Sequence, residues 1–533
     1  MSDPTTSRRR FLAGVGAVGA AAFVPAWSVG TAGAQTASGG SLDGPFTLGV
    51  ASGDPLPSSV VIWTRLAPSP LEPDGGMANR SYRVRWEVAR DENFRLVVAR
   101  GGVAAVPEEG HSVHVDVRGL RPGREYFYRF RVGGEISPVG RTRTAPGPRT
   151  LSPLTMAVAS CSQYEHGLFT AYRGIADERP DVVVHLGDYI YEYEANDYVA
   201  PAGNLRDHVG PETRTLGDYR QRYAQYKTDP DLQAAHAAAP WIVTWDDHEV
   251  DNNHAAGIPE DTDEAEGNAT PEDFAARRAA AYQAYWENMP LRRFRKPVDT
   301  ALPLFRGFDM GRTARLSVLD TRQFRTDQPC GDVFGLGCGE ESDPSGTILG
   351  DEQAAWLEDR LVTSNARWNV VPQQIFLASL DFNPGENSGG YNDGWDGYRA
   401  SRDRLFGFVD DQHVDNFVVL TGDVHSTWMN DLRRDFERPE LPVIGSELVC
   451  TSIASEGDGT DDSWLDAVPV LRDENPHVVY TNRLRGYLNV RFDRDVCTAD
   501  VRAIPGGITT PDQPIETIAS FVIEDGRPGL QTP

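Results

Sequence analysis

Four apolar runs that read as buried strands each end in a short polar block, and this arrangement constrains the fold more than any other feature of the chain. Leu154-Thr155-Met156-Ala157-Val158-Ala159 runs into Ser160-Cys161, and Val182-Val183-Val184 leads to Gly187-Asp188 and, three residues on, Tyr191. Trp241-Ile242-Val243-Thr244-Trp245 delivers Asp246-Asp247-His248-Glu249, and Phe417-Val418-Val419-Leu420 delivers Gly422-Asp423-Val424-His425. Side chains at the carboxyl ends of strands in an open α/β sheet converge on one crevice. Carboxylates, imidazoles, a phenol and a thiol meeting there suit more than one metal ion.

At 533 residues the chain exceeds one typical core, so two or three domains are expected. A hydrophobic fraction of 40% with 9% aromatics fits a globular enzyme and not a disordered chain. The net charge of -27 argues against docked nucleic acid outside a local basic patch. Phosphate substrates stay open, because bound cations reverse the field locally. Lys227 and Lys296 are the only lysines, which reads as a genomic composition bias toward arginine.

The amino terminus is an address. Ser7-Arg8-Arg9-Arg10-Phe11-Leu12 precedes a Gly/Ala-rich run from Ala13 to Val24, and Ala32-Gly33-Ala34 offers a small-residue cleavage site. Residues 1–34 therefore read as a twin-arginine signal, which exports proteins already folded. A membrane anchor is disfavoured, since the run is short, contains glycines and is broken by Pro25. The mature protein is expected to be soluble and monomeric, secreted or extracytoplasmic (cell wall or periplasm), with the Tat export machinery as its one protein partner. Five cysteines fall in that oxidising setting. Cys330 and Cys338 bracket a loop that a disulfide would staple, Cys450 and Cys497 in strand-like segments are a second candidate pair, and Cys161 is left over as a metal ligand.

Residues 43–146 read as all-β, with half-buried alternation in Val60 to Thr64, Tyr82 to Val88 and Ser112 to Val117. Leu120-Arg121-Pro122-Gly123-Arg124-Glu125-Tyr126 before an aromatic strand resembles a fibronectin type III sandwich with its tyrosine corner. After the linker Thr144 to Pro148, strands alternate with helical stretches, so residues 150–526 are expected to form an α/β layered domain closed by β-strands after Tyr480. Thr270-Pro271-Glu272-Asp273 signals a helix start, and the aromatics at helical spacing in that helix and at Tyr219, Tyr223 and Tyr226 read as core. The acidic segment Glu260 to Glu266 reads as a solvated loop, since it lacks EF-hand spacing.

Phosphate ester hydrolysis needs a nucleophile, charge neutralisation and help for the leaving group. Asp188 is the candidate bridge between two metals, after a strand and a glycine that permits a tight turn. The ordered blocks resemble the metallophosphoesterase pattern D-x-H, G-D, G-N-H-E and G-H-x-H, with departures at nearly every block. The departures themselves, Ser160 to Gln163, Leu186 to Tyr193, Asp246 to Asn253 and Thr421 to Ser426, resemble the PhoD family of alkaline phosphatases and phosphodiesterases. Ser52-Gly53-Asp54-Pro55 and Trp63-Thr64-Arg65 are similar to that family's amino-terminal domain. The resemblance implies a metallophosphoesterase-like fold, a β-sandwich core flanked by helices, behind the small all-β domain. It also implies an Fe3+ and Ca2+ centre: iron on Cys161, Asp188, Tyr191 and His425, with Asp188 bridging to calcium on Asp247 and Asp423. Asp246 beside Asp247 leaves open which of the two is the ligand. His248 stands where the general pattern places a phosphate-contacting, leaving-group histidine; a supporting structural role is its alternative.

The expected function is a secreted alkaline phosphatase that hydrolyses monoesters or diesters through a metal-activated water or hydroxide. A phospholipase D-like phosphodiesterase acting on phospholipid is the alternative, and a non-enzymatic surface-binding protein is the minor one. The loops Asn196 to Arg214 and Asp381 to Trp395 are expected to set substrate size. His185 reads as a core histidine, while Asp320 to Gln323 and Gln374 are equally suited to lining the pocket and to supporting it.

Overall fold

Strand character follows burial. Val182–His185 and Pro240–Val243 are buried at every position, as interior parallel strands covered on both faces must be. They pair in parallel with each other, and Val182–His185 also pairs with Leu154–Ala159, at the centre of a ten-stranded sheet. That sheet runs Arg527–Gln531, Glu516–Glu524, Val496–Ala503, Gly486–Phe492, Leu154–Ala159, Val182–His185, Pro240–Val243, Val50–Leu56, Ser59–Arg65, Ser112–Arg118. A seven-stranded sheet runs Arg306–Met310, Ala314–Val318, Trp368–Pro372, Phe417–Thr421, Val443–Val449, Thr427–Arg433, Val478–Asn482. The computed structural model describes residues 43–260, 268–331, 334–336, 338–383, 389–457 and 473–531. The signal read over residues 1–34 and most of the Glu260 to Glu266 segment lie outside the described residues.

Successive strand residues point to opposite faces, which sorts the core into layers. Met156, Val158, Val182, Val184 and Ile242 meet Val370, Val418, Leu420 and Leu448 of the seven-stranded sheet in one cluster. Ala157, Ala159, Val183, Trp241 and Val243 face the other way, onto Phe169, Tyr172, Tyr223, Tyr226, Leu232 and Tyr285. Those residues come from Phe169 and the helices Thr170–Glu178, Leu216–Lys227, Pro230–Ala238 and Pro271–Asn288. Thr270 caps the last of these by accepting from Asp273 N at 3.2 Å. On the outer face of the seven-stranded sheet, Val371, Val419 and Val449 pack against Leu357, Leu361, Leu405, Phe406 and Val409 of helices Gly350–Val362 and Arg399–Asp411.

The front of the chain is split between two sheets. Val97–Ala105, Tyr82–Ala89, Glu125–Val132, Glu135–Ile136 and Gly140–Arg143 form their own sheet. Facing it, Val50–Leu56, Ser59–Arg65 and Ser112–Arg118 extend the ten-stranded sheet, with Ser52 opposite Pro240 and Gly53 opposite Trp241 in parallel register. Val60, Ile62, Val84, Val88, Val113, Tyr126 and Phe130 fill the space between. Tyr126 Oη accepts from Arg121 N at 2.9 Å, tying the preceding turn to its strand. Among the described residues no helix is long and apolar enough to cross a membrane.

Cys330 and Cys338 form a disulfide. Cys161, Cys450 and Cys497 are buried thiols, so the structure corrects the expected Cys450–Cys497 pair. Cys450 Sγ lies 3.4 Å from Ser160 Oγ, at the carboxyl end of the Leu154–Ala159 strand. Cys497 pairs with Phe492, which pairs with Leu154 at that strand's start. Extended chain rises about 3.3 Å per residue, which separates the two ends by roughly 20 Å, whereas a disulfide needs Cα atoms within about 7 Å.

Gly53 sits where the front strands join the central sheet. A Cβ there would lie 2.6 Å from the Pro290 carbonyl oxygen and 2.8 Å from that of Trp241. Gly53→Ala is predicted to cost about 1–3 kcal/mol, the usual range for overpacking, read as a lower denaturant midpoint. An unchanged midpoint would show that this junction yields freely.

Candidate metal centre

The polar blocks leave their strands through strained turns. Cys161, Asp188, Asp423 and His425 have φ of 60°, 52°, 67° and 51°, a left-handed backbone that costs a non-glycine residue on the order of 1 kcal/mol or more. Gly187, at φ 112°, has no room for a Cβ, which would sit 2.5 Å from both Asp246 N and Asp246 Cβ. Two turns therefore lie directly on each other. Glu249 braces them: its carboxylate accepts from Asp188 N at 3.0 Å, Tyr189 N at 2.5 Å and Asp246 N at 2.7 Å. Cys161 N donates to Gly187 O at 3.1 Å and Ser162 N to Asp188 O at 2.8 Å. The fourth block reaches the same place because Gly422 N donates to Gln374 O at 2.8 Å, and Gln374 is itself held by Thr244 and Thr321.

Three groups of donor atoms result, each with members within 4.8 Å of one another: Cys161, Asp188 and His425; Asp188, Asp247 and His248; Asp246, Asp247 and Asp423. Tyr191 Oη donates to Asp188 Oδ2 at 3.1 Å and lies 3.0 Å from His425 Nε2, while Ser455 Oγ donates to Tyr191 Oη at 2.6 Å. Asp188 Oδ1, Asp246 Oδ2, Asp247 Oδ1 and Asp423 Oδ2 are buried without a hydrogen-bond partner. Unpaired buried carboxylate oxygens are costly, and oxygen, thiolate, phenolate and imidazole donors around them fit bound cations.

The electrostatics agree with that fit. Burial pushes the Asp188 and Asp423 carboxyls well above the usual range, with neighbouring carboxylates adding to the shift. Burial likewise raises the Cys161 thiol and the Tyr191 phenol, and the Asp188 charge adds to both. Burial raises Asp246 to about 7 against the pull of Arg322. For Asp247, burial is outweighed by Arg322 and His248, which hold it far below the usual range. Burial also opposes a charged His248, but Glu192, Asp247 and Asp188 outweigh it and raise its pKa. A bound cation favours the deprotonated form of each acid donor.

All seven residues singled out as metal-binding or catalytic, Cys161, Asp188, Tyr191, Asp247, His248, Asp423 and His425, meet at this seam. Asp246 and Asp247 both face Asp423, and only Asp247 also joins the Asp188 group. Sequence reasoning missed Glu192, whose Oε2 lies 2.8 Å from His248 Nδ1 and whose Oε1 accepts from Asn252 N at 3.1 Å. Its one signal is an acid inside the aromatic run Tyr189 to Tyr193. Asp393 was also missed, because Asn392-Asp393-Gly394 reads as an ordinary turn; it is buried against Arg322 and Arg325. His185 is a core residue: its Nε2 lies 2.9 Å from Tyr172 Oη and its ring stacks on Trp241.

Comparison with known proteins gives a consistent picture. The family model described as PhoD-like phosphatase matches residues 156–501, and the PhoD-like phosphatase N-terminal domain model matches residues 32–146. Alkaline phosphatase D of Bacillus subtilis (strain 168) is 47% identical over 530 residues, covering 99% of this chain and 89% of that protein. A solved structure of PhoD superposes with a TM-score of 0.88 at 48% identity, covering 92% of both chains. A purple acid phosphatase from yellow lupin (Lupinus luteus) seeds superposes with a TM-score of 0.52 at 12% identity, covering 89% of this chain and 74% of that one, which is a likeness of fold alone.

The orphaned carboxylates generate a stability prediction. Burial and neighbouring carboxylates oppose ionisation of Asp423 unless a cation is bound, so in chelator Asp423→Asn should melt at or above the parent. Added calcium should raise the parent's unfolding temperature by mass action and leave the variant's nearly unchanged. A parent whose melting ignores every added cation would contradict a cation site here.

Proposed function

The chain belongs to the PhoD-like phosphatase family and is a phosphoric ester hydrolase, and on that premise we propose that it works as an alkaline phosphatase or phosphodiesterase on a two-cation centre. The observation that carries this reading is Asp188, which belongs to two donor groups at once and keeps one buried oxygen unpartnered. The thiol, phenol and imidazole of Cys161, Tyr191 and His425 suit ferric iron, and Asp247 and Asp423 suit calcium, with Asp188 shared between them. When bound, the cations supply positive charge for the phosphoryl oxygens and lower the pKa of water.

The chain's own residues do the rest. Glu192 holds His248 Nδ1 at 2.8 Å, which leaves Nε2 as the ring nitrogen able to donate to a leaving-group oxygen. Tyr191 covers one side of that imidazole, with ring centroids 4.1 Å apart, and limits its rotation. We read the layered core as metallophosphoesterase-like, over residues 150–526. The front, residues 43–146, is read as fibronectin III-like, a reading that the Tyr126 turn supports. Residues 1–34 are read as a twin-arginine signal that exports the folded, metal-loaded monomer, secreted or held extracytoplasmically in the cell wall or periplasm.

Metal analysis with parallel assays on a monoester, a diester and a phosphatidylcholine tests the reading. Iron and calcium should both be found, with a visible charge-transfer band that Tyr191→Phe shifts or bleaches. Asp188→Asn should lose both metals and most activity, whereas His248→Ala should keep them and slow turnover by roughly 10²–10⁴. Full metal content in Asp188→Asn would remove Asp188 from its bridging role, and phosphatidylcholine as the best of the three substrates would favour the phospholipase D-like alternative.

A further inference from the structure

One cation of the chain lies among the carboxylates on the acidic side of the centre. Arg322 is fully buried. Its Nη1 and Nη2 each donate at 2.8 Å to an oxygen of Asp393, its Nε donates to Asp246 Oδ1 at 2.5 Å, and Nη2 stands 3.6 Å from Asp247 Oδ2. Asp393 Oδ1 also accepts from Arg325 Nη1 at 2.6 Å and from Gln328 Nε2 at 2.8 Å. Asp246 Oδ2 and Asp247 Oδ1 are left without partners, and both side chains share a donor group with Asp423.

Charge explains why Arg322 sits among these carboxylates but not how it would help a cation bind beside them, because a guanidinium next to a cation site repels the cation. Geometry gives one. A planar fork with fixed donor directions locks carboxylates in a way a flexible ammonium does not, and metal ligands need such support from the residues behind them. Resting on the two-cation reading, we propose that Arg322 is a positioning residue: it anchors Asp246 to Asp393 beside Asp247, whose Oδ2 the Asn253 N–H holds at 2.7 Å, so that the remaining oxygens of Asp246 and Asp247 face Asp423 as a preformed seat for the second, exchangeable cation.

The two accounts predict opposite signs. A residue that contributed only charge could be replaced by lysine without effect, and its removal would tighten cation binding. A positioning residue loses its effect in Arg322→Lys, which keeps the charge and loses the fork. The test uses full-length protein purified with its metals, stripped by a calcium chelator and dialysed against graded calcium. Bound calcium and iron are then measured by elemental analysis, and thermal unfolding checks that each variant is folded. Arg322→Lys is expected to hold calcium at least tenfold more weakly while keeping wild-type iron.

Asp393→Asn, which leaves Arg322 in place but weakens the anchor, is expected to do the same and carries the test where the lysine variant does not fold. Unchanged or tighter calcium binding in either folded variant overturns the proposal. A wild type that holds no divalent cation sinks the two-cation reading and this proposal with it. A wild type that holds calcium no better than folded variants sinks the proposal alone.

Discussion

Everything at the seam follows from negative charge gathered where little water reaches it. Donor oxygens of Asp246, Asp247 and Asp423 lie within 4.8 Å of one another, and so do those of Asp188 and Asp247. At that spacing two unit charges repel by about 3 kcal/mol even at an effective dielectric near 20. Arg322 and Arg325 compensate Asp393 and part of Asp246. Asp188 and Asp423 have no arginine of their own among the described ion pairs. Ionised together, these carboxylates would carry more charge than the arginines beside them neutralise, so a cation bound there would be a term in the stability of the fold as well as in its chemistry.

The same crowding explains why the turns are strained. Four candidate donors, Cys161, Asp188, Asp423 and His425, hold left-handed backbone that other residues avoid. A relaxed turn would carry each side chain away from the crevice. The strain persists because the surroundings over-determine it: Glu249 accepts three backbone N–H groups from two different turns, and Gly187 lets those turns touch. Glu249, the acid that closes the Asp-Asp-His-Glu block, thus acts on the backbone of the turns.

What the sequence made legible was the part written in strand ends. Apolar runs of three to six residues followed by Ser-Cys, Gly-Asp or Asp-Asp-His-Glu mark convergence whichever strand each belongs to, and with the family resemblance Cys161, Asp188, Tyr191, Asp247, His248, Asp423 and His425 could be named together. Contacts made across the tertiary structure left no local trace. Asp393 is 71 residues from Arg322, and nothing in Asn392-Asp393-Gly394 distinguishes a buried counter-ion from a turn. The Cys450–Cys497 expectation failed for the related reason that strand-like surroundings say nothing about which end of a sheet each strand presents.

The front segment shows the same limit at larger scale. Its alternating strands read as a small module ahead of the catalytic part, yet three of them lengthen the sheet that carries the site. Val50–Leu56 covers what would otherwise be the open edge of Pro240–Val243, the strand that leads to Asp246, Asp247 and His248. Trp63 Nε1 donates to Glu287 O at 2.9 Å, and Arg65 Nη1 to Asn288 Oδ1 at 3.3 Å, so the helix behind that strand is pinned from the same side. An uncovered edge strand exposes unpaired backbone groups and loses register. Register here decides whether a carboxylate points into the crevice or into a core. The front strands therefore act on the chemistry through backbone pairing, without any of their own side chains entering the three donor groups.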